Sequence, residues 1–176
     1  GFMEHYSAGM AGFGRFVEIM RIRPDITDKP DAKELTDVKG EIEFRGVSFS
    51  YDGGVDVLQD INLKVRAGET LAIVGPSGGG KTTLAQLIPR FYEPQKGRVL
   101  LDGQDVSELT LASLRRHVGI VQQDVFLFAG TVEDNIRYGK PGATDEEIRK
   151  AAVLAGLAED IEAMPDGIAT HVGERG

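Results

Sequence analysis

The first regular pattern of apolar and polar residues lies in residues 3–20. Its apolar side chains recur at steps of three and four, the spacing that places them on one face of a helix. The pattern therefore predicts an amphipathic N-terminal helix. Three glycines interrupt the pattern, and each destabilises a helix by about 1 kcal/mol relative to alanine. A loosely ordered N-terminus is therefore the alternative interpretation. The apolar positions are Met3, Tyr6, Met10, Phe13, Val17 and Met20.

A linker and a new domain follow. The helical pattern stops at Pro24, and residues 24–40 are rich in aspartate and proline without periodicity, which is typical of a linker. A period of two then begins with Ile42 and Phe44, and the parity of the apolar positions changes at Gly46. Because a one-residue change turns the apolar face over, we expect a β-bulge or a break between two strands there.

The next segments predict a change from an antiparallel to a parallel sheet. Asp52-Gly53-Gly54 is a turn signal, and residues 61–65 alternate as a half-exposed strand, so this opening predicts a small antiparallel sheet. Thr70–Val74 (TLAIV) is instead a short continuous apolar run, typical of a strand buried on both faces in a parallel sheet. Residues 82–91 then predict a helix whose last turn is shortened or kinked by Pro89.

The rest of the chain alternates strand and helix signals and ends helical. Residues 98–101 and 117–121 predict strands, with a turn at Asp102-Gly103 and a short helix at 110–116 between them. Two capping-box patterns predict helix starts near the C-terminal end. They are formed by Thr131 with Asp134 and by Thr144 with Glu147.

Composition narrows the range of functions. The 176 residues include 20 Lys and Arg against 28 Asp and Glu, which gives a formal net charge of -8 at pH 7. No segment has the basic excess of a nucleic-acid footprint, so DNA and RNA are set aside as partners. The absence of cysteine excludes disulfides, thiolate catalysis and cysteine-type zinc sites. No apolar run within these residues approaches the roughly 18 residues of a transmembrane helix.

A glycine-rich motif directly follows the TLAIV run. Residues 75–82 read GPSGGGKT, the P-loop pattern G-x-x-x-x-G-K-[ST], between a predicted strand and a predicted helix. Successive backbone N–H groups of such a loop wrap a β-phosphate if side chains stay out of the way. The lysine supplies a charge for the β- and γ-phosphates, and the hydroxyl after it is a Mg²⁺ ligand. The candidate nucleotide-binding residues are Gly75, Pro76, Ser77, Gly78, Gly79, Gly80, Lys81, Thr82 and Thr83, with Lys81 also a catalytic candidate and Thr82 a metal ligand.

A P-loop alone does not distinguish a kinase or GTPase from a transporter motor. A kinase or GTPase would require a catalytic base or a guanine-reading element that the sequence does not show. Through four segments the whole chain resembles the nucleotide-binding domain of an ATP-binding-cassette (ABC) exporter. They are FRGVSFSY at 44–51, GPSGGGKTT at 75–83, VGIVQQDVFLFAGTVEDNI at 118–136 and HVGERG at 171–176.

The resemblance implies roles for three residues outside the P-loop. Tyr51 matches the aromatic residue of the A-loop, which stacks on adenine; the alternative is a core residue that continues the apolar face of its strand. Gln123 matches the Q-loop glutamine, which in the family contacts Mg²⁺ and the attacking water. Gln122 is the rival position, but the family places an acid after the glutamine, as Asp124 does here. Glu174 matches the X-loop, which approaches the coupling helices of the membrane domain.

The resemblance also implies a fold and its division. Residues 1–40 match the end of the last membrane-domain helix and its linker, 41–124 the ATP-binding core, and 125–176 the start of the helical subdomain. The implied fold class is α/β, a P-loop NTPase of ABC type. It has an antiparallel β subdomain, an incomplete parallel core sheet and the start of a helical subdomain, preceded by the amphipathic helix.

The implied function is the ATP-binding part of an exporter motor, which in the full-length protein couples MgATP binding and hydrolysis to export. The implied cofactors and partners are ATP, Mg²⁺, the membrane-spanning domain of the same polypeptide and a second nucleotide-binding domain, in a homodimer or a heterodimer. The implied location is the cytoplasmic face of a membrane, such as a bacterial plasma membrane. The alternative function is a non-hydrolytic nucleotide-binding or interaction fragment.

Several family motifs are not among these residues. The signature loop, the Walker B strand with its acids, the D-loop and the switch histidine would follow position 176, so no acid here is nominated as a catalytic base. Hydrolysis by this chain alone is therefore not expected. In the family pattern the missing strands pair beside TLAIV, and without them its backbone and apolar side chains would be exposed.

Overall fold

The computed structural model describes residues 26–122 and 126–173. The predicted helix at 3–20, Gln123 and Glu174 lie outside the described residues. The chain divides into two compact units, one up to Gly119 and one from Ile120. The predicted divisions at residues 40 and 124 stay predictions.

The first unit is built on an antiparallel sheet, as the alternating pattern predicts. In the part of the chain that is described, the sheet has four strands in the order β2-β1-β3-β4. The strands are β1 (Ile42–Ser50), β2 (Asp56–Val65), β3 (Lys96–Leu101) and β4 (Gln104–Asp105). The two central strands, β1 and β3, supply much of the buried apolar surface of this unit.

β1 carries the predicted irregularity at Gly46. The register with β2 shifts between Phe44 and Val47, and the register with β3 shifts between Arg45 and Ser48. Gly46 has a φ of +57°, in the left-handed region that favours glycine. Both Phe44 and Val47 reach the core although they are three positions apart. The predicted irregularity is confirmed. Of the two alternatives, a β-bulge or a break between two strands, the structure has a β-bulge within one continuous strand.

Two helices pack on the sheet. α1 (Lys81–Leu87) ends before Pro89, and α2 (Leu111–Arg116) is preceded by a 3-10 turn at Val106–Glu108. Thr110 caps α2 by accepting the Ser113 N–H. Sheet and helices share one hydrophobic core, formed by Leu35, Phe44, Val47, Phe49, Leu58, Leu84, Leu87, Val99, Leu101, Val106, Leu109 and Leu114.

The segment before β1 is held firmly against this core. Leu35 is only 2% exposed and donates its backbone N–H to Ser113 Oγ (2.9 Å). Lys33 forms an isolated parallel bridge with Leu109. Residues 26–40 lack periodicity, as predicted for a linker, yet they contribute to the fold of the first unit.

One carboxylate fixes the entry into β1. Asp102 accepts the N–H groups of Lys39 (2.7 Å), Gly40 (3.0 Å) and Glu41 (2.8 Å). Asp102 and Gly103 form the predicted turn, with φ values of +51° and +77°. Burial by itself raises the pKa of Asp102, but the three N–H groups and the charge of Lys39 together lower it by more, so the pKa lies below its ordinary value of 3.8.

Replacing Asp102 by asparagine is expected to loosen residues 39–41. Asparagine tolerates the left-handed φ but lacks the charge and one acceptor oxygen. We therefore expect the free energy of local opening at residues 39–41 to fall by about 1–3 kcal/mol. Because the folded pKa is depressed, the wild-type stabilisation is complete above the ordinary pKa and is lost as the pH falls through the folded pKa. Hydrogen-exchange protection of the amides at 39–41, followed from neutral to acidic pH, measures both effects.

Asp37→Asn is the matched control for this prediction. Asp37 is exposed and also has a left-handed φ, +52°, so its replacement tests the same chemical change in the same segment. Protection at 39–41 should be unchanged in this variant. Equal protection in the wild type and in Asp102→Asn at neutral pH would contradict the proposed role of the carboxylate.

Two predicted strands are not formed, one of them the strand predicted for a parallel core sheet. Residues 70–74 and 117–121 have no strand conformation, so the prediction is wrong for both segments. Within 26–122 and 126–173, no strand pairs with either segment. Most of their apolar side chains are open to solvent, with Val74 90% and Val121 100% exposed, whereas Val118 is partly buried against the hydrophobic core. A buried strand requires neighbours to satisfy its backbone, and among the described residues neither segment has such neighbours.

The second unit is mainly helical. β5 (Gly130–Thr131) pairs antiparallel with β6 (His171–Val172). The helices are α3 (Val132–Arg137), α4 (Asp145–Leu154) and α5 (Ala158–Glu162), and a 3-10 turn lies at Gly167–Ala169. Both predicted capping boxes are present, at the N-termini of α3 and α4. The predicted helical tail is thereby confirmed for the described residues.

An exposed aromatic cluster also belongs to the second unit. Phe128 packs against Phe126 (5.1 Å between ring centroids) and against Tyr138 (4.5 Å). The Asn135 side chain bonds both the N–H (2.8 Å) and the carbonyl (2.9 Å) of Phe128. The cluster is therefore held in place although all three rings are exposed.

Candidate functional site

Tyr51 lies at the turn of the β1–β2 hairpin, directly after the last residue of β1. The chain turns at Asp52 and Gly53, whose φ values are +50° and +71°. Two successive left-handed residues suit the twist of antiparallel strands. Gly54 donates its N–H to the Tyr51 carbonyl (2.9 Å), so the turn fixes the Tyr51 backbone.

The ring of Tyr51 is packed edge-on by two other aromatic rings. Its centroid lies 4.8 Å from that of Phe49 and 5.1 Å from that of Tyr92, with interplanar angles of 86° and 89°. Such T-shaped pairs are favourable because a positive ring edge meets a negative ring face. Tyr51 remains 39% exposed, so it is not a buried core residue.

The Tyr51 hydroxyl joins the sheet to α1. It shares a hydrogen bond of 2.6 Å with Thr83 Oγ1, in the first turn of the helix. Thr83 is only 5% exposed, which protects the bond from competing water. The structure thus brings together two sequence-predicted site residues that are 32 positions apart.

The loop before α1 depends on glycine at position 80. Gly80 is the N-cap of the helix and has a φ of +85°, which residues with a Cβ rarely adopt. A Cβ there would also lie 2.8 Å from Leu58 Cδ2 and 3.1 Å from the Val57 carbonyl oxygen. Glycine therefore serves both the backbone conformation and the close approach of the loop to β2.

Lys81 is the first residue of α1, and its side chain folds back over the loop. Its Nζ donates to the carbonyl oxygens of Gly75 and of Pro76, the latter at 3.1 Å. The ammonium group is thus held beside the glycine-rich segment at 75–80. This is where a positive charge can meet phosphate groups bound by the loop amides.

Thr82 is exposed beside this loop, so its hydroxyl is accessible to a metal ion. Within 26–122 and 126–173, no group of three or more His, Asp or Glu side chains could hold a metal ion. Mg²⁺ keeps several waters and is usually bound through one or two protein groups together with substrate phosphates. The donor set therefore fits Mg²⁺ that arrives with a nucleotide and does not fit a resident metal centre.

A cavity of about 630 Å³ lies beside Tyr51. Its lining includes Arg90, Tyr92, Gln95 and Arg115, but none of residues 75–83. The sequence did not single out Tyr92 or Gln95. Both come from the connection between α1 and β3, and their position beside Tyr51 depends on the pairing of β1 with β3, for which the chain shows no local signal.

Two other predicted site residues have no described geometry. Gln123 and Glu174 lie outside the described residues. The described part of the site therefore consists of the loop at 75–80, the start of α1, and Tyr51 at the end of β1.

Comparison with known proteins extends these observations. The profile of a family described as ABC transporter matches residues 58–171. The uncharacterised ABC transporter ATP-binding protein YwjA of Bacillus subtilis (strain 168) is 51% identical over 174 residues, which is 99% of this chain and 30% of that protein. The ATP-dependent lipid A-core flippase of Desulfotalea psychrophila is 51% identical over 168 residues, or 96% of this chain and 29% of that protein.

A solved structure shows the same fold. It is described as a bacterial Atm1-family ABC exporter with ATP bound, with a TM-score of 0.85 and 40% sequence identity. The match covers 96% of this chain and 30% of that chain. This chain thus spans about 30% of the length of the relatives it matches.

Proposed function

Because this chain belongs to the ABC transporter family, we propose that it is the ATP-binding part of an exporter's motor domain. The observation that carries the proposal is the loop at 75–80 with Lys81 folded over it. A second support is the hydrogen bond between the hydroxyls of Thr83 and Tyr51, which joins the phosphate end of the proposed site to its base end. The similarity to ABC transporter proteins favours this function over a non-hydrolytic fragment.

Each part of the proposed site has a distinct task. Backbone N–H groups between Gly75 and Lys81 hold the β-phosphate, and the ammonium of Lys81 moves from the loop carbonyls to the β- and γ-phosphates. The exposed ring of Tyr51 stacks on adenine, a contact that contributes about 1–3 kcal/mol and hardly distinguishes bases. Affinity for the base therefore depends on the position of this ring.

The Thr82 hydroxyl is the proposed Mg²⁺ ligand from the P-loop, and Gln123 is the proposed second contact. The metal ion would neutralise the phosphate charge and orient the γ-phosphate. Gln123 suits this place because an amide donates or accepts a hydrogen bond without a change of charge. These assignments are carried over from the family through the motifs at 75–83 and 118–136.

Transport requires more than these residues. We propose that the intact protein places this motor at the cytoplasmic face of a membrane, joined to a membrane-spanning domain, and that it pairs with a second nucleotide-binding domain. Among the described helices, none has the length and apolar character of a membrane span. The exposed aromatic cluster of Phe126, Phe128 and Tyr138 supports the proposal that a partner domain covers part of this surface. Exposed apolar patches that are held in place mark interaction sites.

Titration of the intact protein with ATP by calorimetry tests the proposal. We expect saturable binding of ATP in the presence of Mg²⁺, and weaker binding after Mg²⁺ is removed by a chelator. We also expect ATP hydrolysis by the intact protein. AMP, which lacks the β- and γ-phosphates, is the matched control ligand and should bind much more weakly. ATP binding no stronger than AMP binding would reject the assignment.

A further inference from the structure

The end of β1 is completed by a side chain. The backbone pairing of β1 with β3 reaches Ser48 opposite Lys96 and goes no further. Gln95, the residue before β3, continues it: its Oε1 accepts the Ser50 N–H (2.9 Å) and its Nε2 donates to the Ser50 carbonyl (2.8 Å). Its own backbone N–H donates to the Ser48 carbonyl (3.1 Å). Gln95 therefore acts as one additional strand residue opposite Ser50.

Ser50 needs such a partner because it is buried, with 7% exposure. Buried backbone N–H and carbonyl groups are almost always hydrogen-bonded. A primary amide has a donor and an acceptor side by side and can satisfy both groups, as a backbone peptide unit does. A carboxylate offers only acceptors, and an apolar side chain offers neither.

Ser50 is the residue before Tyr51, so its backbone sets the point from which the Tyr51 ring projects. Tyr92, three positions before Gln95, packs edge-on against that ring at 5.1 Å. The connection 92–95 therefore makes two contacts: the Gln95 amide holds the end of β1, and the Tyr92 ring packs against the Tyr51 ring. Neither contact requires a bound nucleotide.

We infer that Gln95 is a positioning residue for Tyr51, which holds the adenine-stacking ring in place before ATP arrives. The inference rests on the proposed nucleotide-binding function. A ring that is already ordered loses less conformational freedom on binding, so more of the stacking energy appears as affinity. Gln95 acts through Tyr51 and touches neither the base nor the phosphates.

Gln95→Met tests this inference, because methionine has a similar length but neither the amide donor nor the amide acceptor. In the intact protein we expect the Kd for MgATP to rise roughly fivefold or more. The Kd for inorganic tripolyphosphate, which carries the phosphates without the base, should stay within about twofold because the P-loop is unchanged. Gln104→Met, at an exposed glutamine of β4 in the same sheet, is the matched control and should change neither constant.

Two further measurements separate positioning from general damage. In a Tyr51→Ala background, Gln95→Met should cause no further loss of MgATP affinity, because its effect passes through the ring. Without nucleotide, the Ser50 amide should exchange with solvent roughly tenfold faster in Gln95→Met than in the wild type.

Several results would overturn the inference. They are an equal loss of affinity for MgATP and tripolyphosphate, an additive effect of Gln95→Met with Tyr51→Ala, or unchanged exchange at Ser50. Failure of the proposed function is distinct from these outcomes, because the wild type itself would then not bind MgATP. The exchange of the Ser50 amide still tests the positioning contact in that case.

Discussion

Lys81→Ala is expected to weaken MgATP binding by a factor of roughly 100 or more. A hydrogen bond to a charged group contributes about 1.5–3 kcal/mol. Removing a lysine that contacts two phosphates therefore costs about 3 kcal/mol or more of binding free energy, which is roughly 100-fold in Kd. In the structure the ammonium group already lies at the loop, bonded to the carbonyls of Gly75 and Pro76. Calorimetric titration of the intact variant with MgATP measures the loss.

The matched control for Lys81→Ala is Lys96→Ala. Lys96 is an exposed lysine of β3 in the same unit, so its removal changes the net charge equally but leaves the loop intact. MgATP affinity should then stay within about twofold, because exposed charges contribute little at physiological salt. Unfolding of the two variants without nucleotide should be similar, which separates lost binding from lost folding. Equal MgATP affinity of Lys81→Ala and the wild type would exclude the P-loop as the nucleotide site.

Local signals in the sequence predicted much of the first unit and the helix starts. The change of parity at Gly46 predicted the bulge because side chains alternate strictly along a strand. The pairs Thr131 with Asp134 and Thr144 with Glu147 predicted helix starts, because each capping box is complete within four consecutive residues. Each of these features is decided by neighbours in the chain, so a single sequence is sufficient.

The wrong predictions concern strands whose existence depends on distant partners. Residues 70–74 have the apolar composition of a buried strand, but composition does not supply the strands on either side. The same holds for residues 117–121. In the structure both segments are irregular and largely exposed. The apolar pattern thus described a segment suited to a parallel sheet, whereas strand formation also requires the sheet itself.

The P-loop motif predicts the candidate phosphate-binding residues from eight consecutive positions, 75–82. Their roles stay predictions, and the strand expected before the loop is not formed. The packing around Tyr51 could not be predicted in this way, because Gln95 contacts Ser50 across 45 positions. Such a contact follows from the register of β1 with β3, for which the chain shows no local signal.

Gly97→Ala is expected to destabilise the first unit by about 2–5 kcal/mol. Gly97 lies in β3 with a φ of +80°, and a Cβ there would lie 2.3 Å from the Gly46 carbonyl oxygen and 2.4 Å from that of Arg45. The left-handed conformation alone costs an alanine about 1–2 kcal/mol. Moving the backbone to relieve overpacking adds about 1–3 kcal/mol. The atoms in the way are backbone atoms of the β1 bulge, so no side-chain rotation can relieve the contact.

Gly103→Ala separates the two causes. Gly103 has nearly the same φ, +77°, but a Cβ there would have no atom within 4 Å, so only the conformational cost of about 1–2 kcal/mol applies. Hydrogen exchange of the β1 and β3 amides in the intact protein measures both variants as local opening free energies. A difference of roughly 1–3 kcal/mol between them is then the cost of separating β3 from the bulge. Equal destabilisation would contradict this, because it would show that the bulge moves away freely. In that case the β1–β3 register would not be the rigid frame from which Gln95 reaches Ser50.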